Sequence, residues 1–478
     1  MAVCTGLIVA NLYYCQPLIV LIANEFKIPE ASAGTITYLT QAGYAVGLFF
    51  MVPLGDKLER KRQILMTTFA SVIALLIAAT AKSFLILQIA SLLIGITSIV
   101  PQLILPLAAS LSAPEQRGKV VGTIMSGLLV GILLSRTLSG FIGEFLGWRS
   151  MFYIAAGICL LIFFVIQSKF PVNKPQFQGT YGQLIQSLWT LIKTQPVLRE
   201  ATAINVFSFA QFGAFWTTMV LLLSGEPFNF NSATIGLFGI VGASGALAAP
   251  LVGKIGDKGN SRIAVGYGCL LILISFLVFY FSIESVVGIA IGIVFIDIGI
   301  QGVHISNQTR VYSLLPEARN RLNTVFMSFS FLGTAAGSAY GLLLWKLGGW
   351  HAVTIGCIVL SLLALLVYGL TYKSKSKNKF KMNRIAAFAG LFLIVSCQKT
   401  LSDEEIKKYT WKCGVPCGLS DVIVFDDNTI LRNDTIFLKQ RPYAKIVKRT
   451  NNFDEDTKIS VINLENLVIK DTCIFHAK

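Results

Sequence analysis

Apolar segments alternate with short polar connections along most of the chain. Many of these segments reach the roughly 20 residues that an α-helix needs to cross about 30 Å of hydrocarbon. Hydropathy and turn residues delimit twelve of them, near residues 2–24, 33–54, 63–81, 83–108, 119–143, 148–168, 201–223, 232–252, 262–281, 284–309, 322–345 and 350–372. This pattern predicts an all-α polytopic membrane protein with twelve transmembrane helices.

The same pattern divides the chain into successive parts. They are a six-helix bundle (1–168), a polar central loop (169–199), a second six-helix bundle (200–372), a basic tail (373–381), a signal-like segment (382–397) and a small soluble domain (398–478). The soluble domain is predicted to be rich in β-strands, because runs such as 421–425 and 458–462 are dominated by β-branched residues.

The signal-like segment resembles a bacterial lipoprotein signal. It begins at Met382, carries a basic residue at Arg384, and continues through an apolar run (385–396) to Cys397, which would be the lipid-modified cysteine. An apolar run this short spans a bilayer poorly, so a thirteenth helix is the weaker interpretation. We expect two adjacent genes read as one chain, with the tail exported if it is processed at Cys397.

Composition supports a membrane protein and argues against other classes. Of all residues, 54% are hydrophobic and 13% are charged, and the net charge of +16 lies mainly in short loops. Nucleic acid is therefore not an expected partner. The chain has no P-loop and no H-E-x-x-H motif, and its cysteines in apolar segments lack metal-ligand spacing. We expect no enzyme, no catalytic residue, no metal and no cofactor, with the proton gradient as driving force.

Lys and Arg residues predict the orientation in the bacterial inner membrane. If the N-terminus is inside, the loops on that side hold sixteen of them, against four on the other side: Lys27, Lys82, Arg149 and Lys346. This positive-inside bias places both ends of the twelve-helix region, and the central loop, in the cytoplasm. The first span begins almost at Met1 without a basic lead-in, so we expect that the natural start lies upstream.

The two halves repeat each other. Pro-Glu-Gln-Arg at 114–117 recurs as Pro-Glu-Ala-Arg at 316–319, and Gly147-Trp148 recurs as Gly349-Trp350, both 202 residues later. Several short landmarks at one offset predict a parallel repeat of six plus six helices.

Two stretches then identify a resemblance. The loop Leu54-Gly55-Asp56-Lys57 with Arg60-Lys61-Arg62 resembles the signature loop between helices 2 and 3 of major facilitator superfamily transporters. The glycine-spaced stretch around Arg136 (127–140) resembles the fifth helix of proton-driven exporters in that family. The likeness covers residues 1–377 and is greatest for the drug/proton antiporter and sugar-efflux branch. It implies alternating access and export of a small solute.

This chain departs from the family pattern at two positions. Glu59 stands where the loop motif usually has glycine, and Ser91 stands where many members carry an arginine in helix 4. The second departure means that the common helix-4 proton relay is not carried over.

Asp297 is the sharpest candidate for chemistry, because it is the acidic residue placed deepest in an apolar segment. An ionised carboxylate in hydrocarbon is costly and by default marks a proton or substrate site. Gln301 and His304 follow at helical spacing, which predicts one polar stripe. The alternatives are a protonated Asp297 that serves helix packing, and a His304 that is solvated near the cytoplasmic end.

Arg136 is the matching basic residue in the fifth span. It could counter Asp297, attract an anionic substrate, or extend its side chain towards the membrane surface. The first two roles would place it in the proton-coupling site.

Polar and aromatic residues at helical spacing predict a central substrate cavity suited to an amphipathic solute. These are Asn11, Tyr14, Tyr38, Gln41, Asn205, Gln211 and Trp216.

The basic loops are predicted to act as a cytoplasmic gate rather than a binding site. Asp56 ends the second span on the side where span 11 begins, so the positive end of that helix could hold its carboxylate. Arg60, Arg62 and the repeat counterpart Asp257 complete the predicted gate. The alternative is a solvated anchor that only sets topology.

These features favour a proton-coupled exporter of a small organic solute, acting as a monomer in the lipid bilayer. An uptake permease of the same fold is the alternative, and a non-transporting membrane sensor ranks lower.

Overall fold

A computed structural model describes residues 1–113, 116–172, 179–242, 261–315 and 318–372, together with the strands between 406 and 477. Asp257 of the predicted gate and Cys397 of the predicted signal lie outside the described residues. The chain divides into two units, Met1–Ser376 and Lys377–Lys478.

The first unit is built from helices. They are α1 (Ala2–Val9), α2 (Ile19–Phe26), α3 (Glu30–Ala33), α4 (Thr35–Phe50), α5 (Leu54–Lys57), α6 (Arg60–Ala79), α7 (Phe84–Thr97), α8 (Val100–Leu111), α9 (Arg117–Leu146), α10 (Trp148–Lys169), α11 (Tyr181–Thr194), α12 (Pro196–Ser224), α13 (Ser232–Gly242), α14 (Ser261–Phe281), α15 (Val286–Tyr312) and α16 (Arg319–Tyr372).

Within the described part of the chain, nine helical segments are long and apolar enough to cross a membrane. The longest, α16, has non-helical backbone at Gly348 and Gly349, so it comprises two helices joined at a corner. Two shorter apolar helices, Ala2–Leu12 and Ser232–Gly242, accompany them. The prediction of a mostly helical multi-pass membrane protein is confirmed.

The first apolar segment differs from the continuous helix expected at 2–24. After α1, a 3₁₀ turn covers Ala10–Leu12, and the helix resumes only at Ile19. Pro17 explains the interruption, because proline has no N–H to donate and its ring clashes with the preceding helical turn. The unwound stretch brings side chains of this segment into the middle of the bundle.

The corner between α9 and α10 is repeated inside α16. Gly147 and Gly349 both have positive φ, 81° and 61°, which residues with a Cβ rarely adopt. The tryptophan that follows each glycine is buried, and its indole N–H donates inward: Trp148 to Glu25, and Trp350 to the carbonyl of Phe279. The 202-residue repeat therefore marks the same structural corner in both halves.

Helix pairing follows the repeat as well. Gly131 of α9 packs against Gly6 of α1, where a methyl group on Gly131 would lie 2.1 Å from the Gly6 carbonyl oxygen. Gly333 of α16 packs against Val206 of α12 in the same way, because a methyl group on Gly333 would lie 2.6 Å from the Val206 carbonyl oxygen. Small residues permit this close approach of transmembrane helices.

The second unit contains an antiparallel sheet of seven strands. They are β1 (Trp411–Cys413), β2 (Val422–Ile423), β3 (Thr429–Arg432), β4 (Thr435–Leu438), β5 (Arg441–Thr450), β6 (Lys458–Asn463) and β7 (Thr472–Ala477). Their order in the sheet is β2-β1-β7-β6-β5-β4-β3. The runs 421–425 and 458–462, expected to be extended, contain β2 and most of β6.

Candidate functional site

Arg136 and Asp297 lie at the same depth in helices of opposite halves. Arg136 stands ten residues before the end of α9, and Asp297 eleven residues after the start of α15. Each is therefore about 15 Å of helix from an end, near the middle of a 30 Å hydrocarbon layer. Arg136 is 3% exposed and Asp297 is 7% exposed. Arg136 thus does not extend to the surface, which removes one of the alternatives for it.

The Arg136 guanidinium is held by the interrupted first segment and by aromatic rings. Its Nε donates a hydrogen bond of 2.7 Å to Oε1 of Gln16. Its Cζ lies 3.9 Å from the ring centroid of Trp216 and 4.8 Å from that of Tyr13. Cation–π contacts of this kind are worth about 2 kcal/mol when desolvated. The buried Nη2 makes no hydrogen bond within the described residues.

Asp297 faces this group from the other half. The indole of Trp216, whose ring the Arg136 guanidinium overlies, also lies beside the Asp297 carboxylate. Gly242 of α13 completes the wall, because a methyl group there would lie 2.6 Å from Asp297 Oδ2 and 3.1 Å from the Trp216 ring. We call Arg136, Asp297 and Trp216 the mid-depth cluster.

His304 lies outside this cluster, seven residues further along α15. Its ring packs between Phe209 and Phe326, at centroid distances of 5.1 and 5.5 Å, and its Nδ1 is 3.3 Å from the amide nitrogen of Asn205. Gln301 is partly buried between the two positions. The predicted stripe therefore separates into a mid-depth cluster and a histidine pocket within the second half.

The predicted cavity residues are also distributed among several places. Trp216 belongs to the mid-depth cluster, whereas Asn205 donates to Ser330 Oγ at 2.6 Å. Gln41 donates to the carbonyl of Leu12. The others contact neighbouring helices: Asn11 reaches Cys159, Gln211 accepts from Ser361, and Tyr14 and Tyr38 pack in the hydrophobic core.

Three further residues belong to the site but are not among the site residues predicted from the sequence: Gln16, Tyr13 and Gly242. A signal for Gln16 was available, because an amide followed by proline inside an apolar segment favours an interrupted helix with the amide turned inward. Tyr13 and Gly242 carried no such signal, since their roles depend on which helices become neighbours.

At the predicted gate, Asp56 pairs with Arg60 of the same loop, with 3.1 Å between Oδ1 and Nη2. Arg60 also donates to the carbonyl of Gly55. A small cleft beside this pair is lined by Asn320 and Arg321 from the first turn of α16. The carboxylate thus lies across a cleft from the helix start that was expected to hold it, and Arg62 is exposed.

The two halves touch at both ends of the bundle. Near the gate, Asn323 donates to Oε1 of Gln102 at 3.3 Å, and the Tyr44 and Phe331 rings meet edge to face at 4.5 Å. At the other end, Oε2 of Glu144, two residues before the end of α9, accepts a hydrogen bond of 3.1 Å from the backbone N–H of Ser232. The mid-depth cluster therefore lies between two packed layers.

A second set of charges lies at the helix ends of the second half. One carboxylate oxygen of Glu200 is 3.1 Å from Arg310 and 3.1 Å from Arg262. This set, the Glu200 cluster, ties together the starts of α12 and α14 and the end of α15.

Comparison with known proteins identifies the family. Residues 1–338 match the Major Facilitator Superfamily. "Uncharacterized transporter YgaY" of Escherichia coli O157:H7 is 42% identical over 368 residues, 77% of this chain and 93% of that protein. A "Probable sugar efflux transporter" of Helicobacter acinonychis is 25% identical, over 74% of this chain and 90% of that protein.

Among solved structures, a bacterial homolog of the human lysosomal transporter Spinster, inward-facing and occupied, shares the fold. Its TM-score is 0.65 at 14% identity, over 80% of this chain and 97% of that one. The sequence matches, the helical architecture and this likeness agree, and the chain belongs to the Major Facilitator Superfamily.

Proposed function

We propose that the protein is a secondary active transporter that couples a proton gradient to the movement of a small organic solute. The observation that carries this proposal is the placement of Arg136 and Asp297, from opposite halves, buried at mid-depth around the Trp216 ring. A buried carboxylate in a membrane protein is a proton or substrate site by default. A proton taken up by Asp297 removes its attraction for the Arg136 charge of the other half, which links protonation to the relative motion of the halves.

The transport cycle we propose is alternating access. The two halves rock about the mid-depth cluster, and the packed layers at the gate and at the opposite end open in turn. The layer that contains Gln102, Asn323, Tyr44 and Phe331 is one barrier, and the hydrogen bond from Ser232 to Glu144 belongs to the other.

Export is the direction we propose first. It is supported by the resemblance of the glycine-spaced fifth helix to that of exporters, and by a relative named as a sugar efflux transporter. Uptake is the second candidate, favoured by one observation: the buried Nη2 of Arg136 has no acceptor among the described residues. An anionic solute drawn to it once Asp297 is protonated would move together with the proton.

The test of coupling uses everted membrane vesicles and the variant Asp297→Asn. Addition of a transported solute should move protons in vesicles with the wild-type protein and should not do so with the variant. Glu284→Gln, in the short connection before α15, is the matched control and should leave proton movement unchanged. Undiminished solute-dependent proton movement with Asp297→Asn would remove Asp297 from the coupling site.

We further propose twelve spans in the bacterial inner membrane, with both ends cytoplasmic. The interrupted segment 2–26 counts as one span, α13 begins another, and α16 supplies two. Cysteines introduced at exposed loop positions should react with an impermeant maleimide from the periplasm next to Lys82, and not next to Lys61. The reverse pattern would invert the topology.

We propose that the segment from Met382 onward is a separate lipoprotein read into the same chain. Support comes from the relative in Escherichia coli, of which 93% is matched by only 77% of this chain. An antibody against the tail should detect a small lipoprotein in the native host. A single band near 52 kDa would show instead one continuous polypeptide.

A further inference from the structure

The mid-depth cluster contains a cationic donor without a partner. Arg136 is 3% exposed, its Nε is used by Gln16, and its Nη2 has no hydrogen-bond acceptor in the described part of the chain. Leaving a buried donor unsatisfied costs about 1–3 kcal/mol, and more when the group is charged. A ligand that supplies an acceptor oxygen at Nη2 removes that cost.

Two further features bear on the chemistry of such a ligand. The Trp216 Nε1 lies beside Asp297, yet makes no hydrogen bond within 3.5 Å to a described residue. The buried polar atoms of the mid-depth cluster that lack a partner among the described residues are thus two donors, on Arg136 and Trp216. Two donors beside each other favour a ligand group with several acceptor oxygens and negative charge.

The apolar part of the ligand has a matching place on α12. Phe209 and Phe212 are only partly buried and pack against both hydrophobic clusters of the bundle. The ring centroids of Phe212 and Trp216 are 6.2 Å apart, and those of Phe209 and Phe212 are 6.4 Å apart. The three rings therefore form a row that starts at the mid-depth cluster. A flat apolar body can lie along this row while its charged group reaches Arg136.

We propose that the solute is an organic anion, a carboxylate or similar group on a flat apolar body, that takes the place of Asp297 as partner of Arg136. This rests on the proposed function, because it requires that Asp297 takes up a proton. Protonation leaves Arg136 as a buried charge without compensation, and the anion restores neutrality. Proton and anion therefore bind cooperatively, each raising the affinity for the other by the same factor.

The proposal has a consequence for direction. A solute that binds together with the proton moves in the direction of the proton, whereas a solute that competes with it moves oppositely. Cooperative binding at this site thus requires movement with the proton, so an anionic solute selects uptake, the second direction proposed above, in place of export. The other titratable groups around Arg136 are Tyr13 and Cys15 of the interrupted segment, and His304 lies further along α15.

The test measures binding of three probes to the full chain in lipid nanodiscs: benzoate, benzyl alcohol and benzylamine, which share a ring and differ in charge. Benzoate should bind most tightly. Its affinity should rise by up to about tenfold for each unit that the pH falls, since one proton is taken up with the anion, and should level off once Asp297 of the unliganded protein is itself protonated. Benzoate itself stays ionised throughout the neutral range.

Two variants separate the contributions. Arg136→Gln should abolish the preference for benzoate over benzyl alcohol. Asp297→Asn should bind benzoate at all pH values as tightly as the wild type does at low pH. Arg149→Gln, which changes an arginine stacked on Trp148 away from the cluster, should behave as the wild type. Melting curves of each variant show whether it is folded.

The outcomes are decisive in both directions. If the wild type prefers benzylamine or benzyl alcohol, or fails to bind benzoate, the proposal that the solute is an organic anion is wrong. A benzoate affinity that does not change with pH also contradicts the proposal. If Asp297→Asn then still abolishes proton movement in vesicles, the proposed coupling role of Asp297 is retained and only the anion site is wrong. Benzoate binding that depends on Arg136, with proton movement unaffected by Asp297→Asn, removes the coupling role and leaves only an anion site.

Discussion

The mid-depth cluster and the Glu200 cluster hold the same kinds of charge in different surroundings. Arg136 and Asp297 lie about 15 Å from a helix end and belong to opposite halves, whereas Glu200, Arg262 and Arg310 lie at helix ends within one half. Charges at mid-depth cannot be relieved by water, so each depends on its partner. Charges at helix ends are partly solvated and can be replaced at lower cost. The comparison therefore distinguishes the cluster that we propose to couple protonation to transport from a cluster that holds helices of the second half together.

The largest effect is expected from breaking the mid-depth cluster on one side only. Arg136→Leu leaves Asp297 as a buried charge without a partner, and should lower the free energy of unfolding by about 3–5 kcal/mol. The double variant Arg136→Leu with Asp297→Leu should recover most of that loss, because both charges are gone. Thermal melting of the purified variants checks this, and a double variant no more stable than the single one would contradict the pairing.

A smaller effect is expected at Gln16, whose side chain orients Arg136. Gln16→Leu removes the acceptor at 2.7 Å from a buried guanidinium, and should cost about 1–3 kcal/mol of stability and weaken proton coupling. Gln63→Leu is a suitable control, because Gln63 is likewise a buried glutamine, but its amide donates to the main-chain carbonyl of Met51, far from the cluster. Equal losses of coupling in both variants would mean that Gln16 has only a packing role.

A loss of similar or smaller size is expected at the Glu200 cluster. Glu200→Gln leaves Arg262 and Arg310 close together without their shared carboxylate, and should cost about 1–2 kcal/mol, between the values for exposed and buried pairs. Proton coupling in vesicles should persist. Loss of coupling with normal stability would show that the cluster takes part in transport rather than clamping the second half.

The smallest effect is expected at the loop pair. Asp56→Asn breaks an ion pair between adjacent turns, which is partly exposed, and should change stability by no more than about 1 kcal/mol. If the pair belongs to the gate, the rate of transport should change although the free energy of unfolding hardly does. Arg62→Gln, an exposed neighbour, is the control for the charge of the loop.

The sequence indicates how far along its helix a residue lies, but says little about which neighbouring helix its side chain faces. The positions of the apolar segments place Asp297 and Arg136 at mid-depth, and the repeat places the Gly-Trp corners. Hydropathy says little about which neighbour a side chain meets, because the interior of a helix bundle is apolar on nearly every side. The contacts of Gln211 with Ser361 and of His304 with Asn205 therefore do not follow from the sequence pattern. Hydropathy also predicts one continuous span at 2–24, whereas the helix is interrupted at Pro17 and presents Gln16 to Arg136.

The Gly-Trp corners also bear on the ancestry of the chain. Gly147 and Gly349 adopt backbone angles that restrict the residue type, and each is followed by a tryptophan anchored to a preceding helix. Two copies of one ancestral six-helix gene, joined end to end, start with identical corners and can diverge wherever side chains are interchangeable. Positions where the backbone itself disfavours other residues tolerate the fewest substitutions, so the corners are alike in the two halves although the residues around Arg136 and Asp297 differ between them.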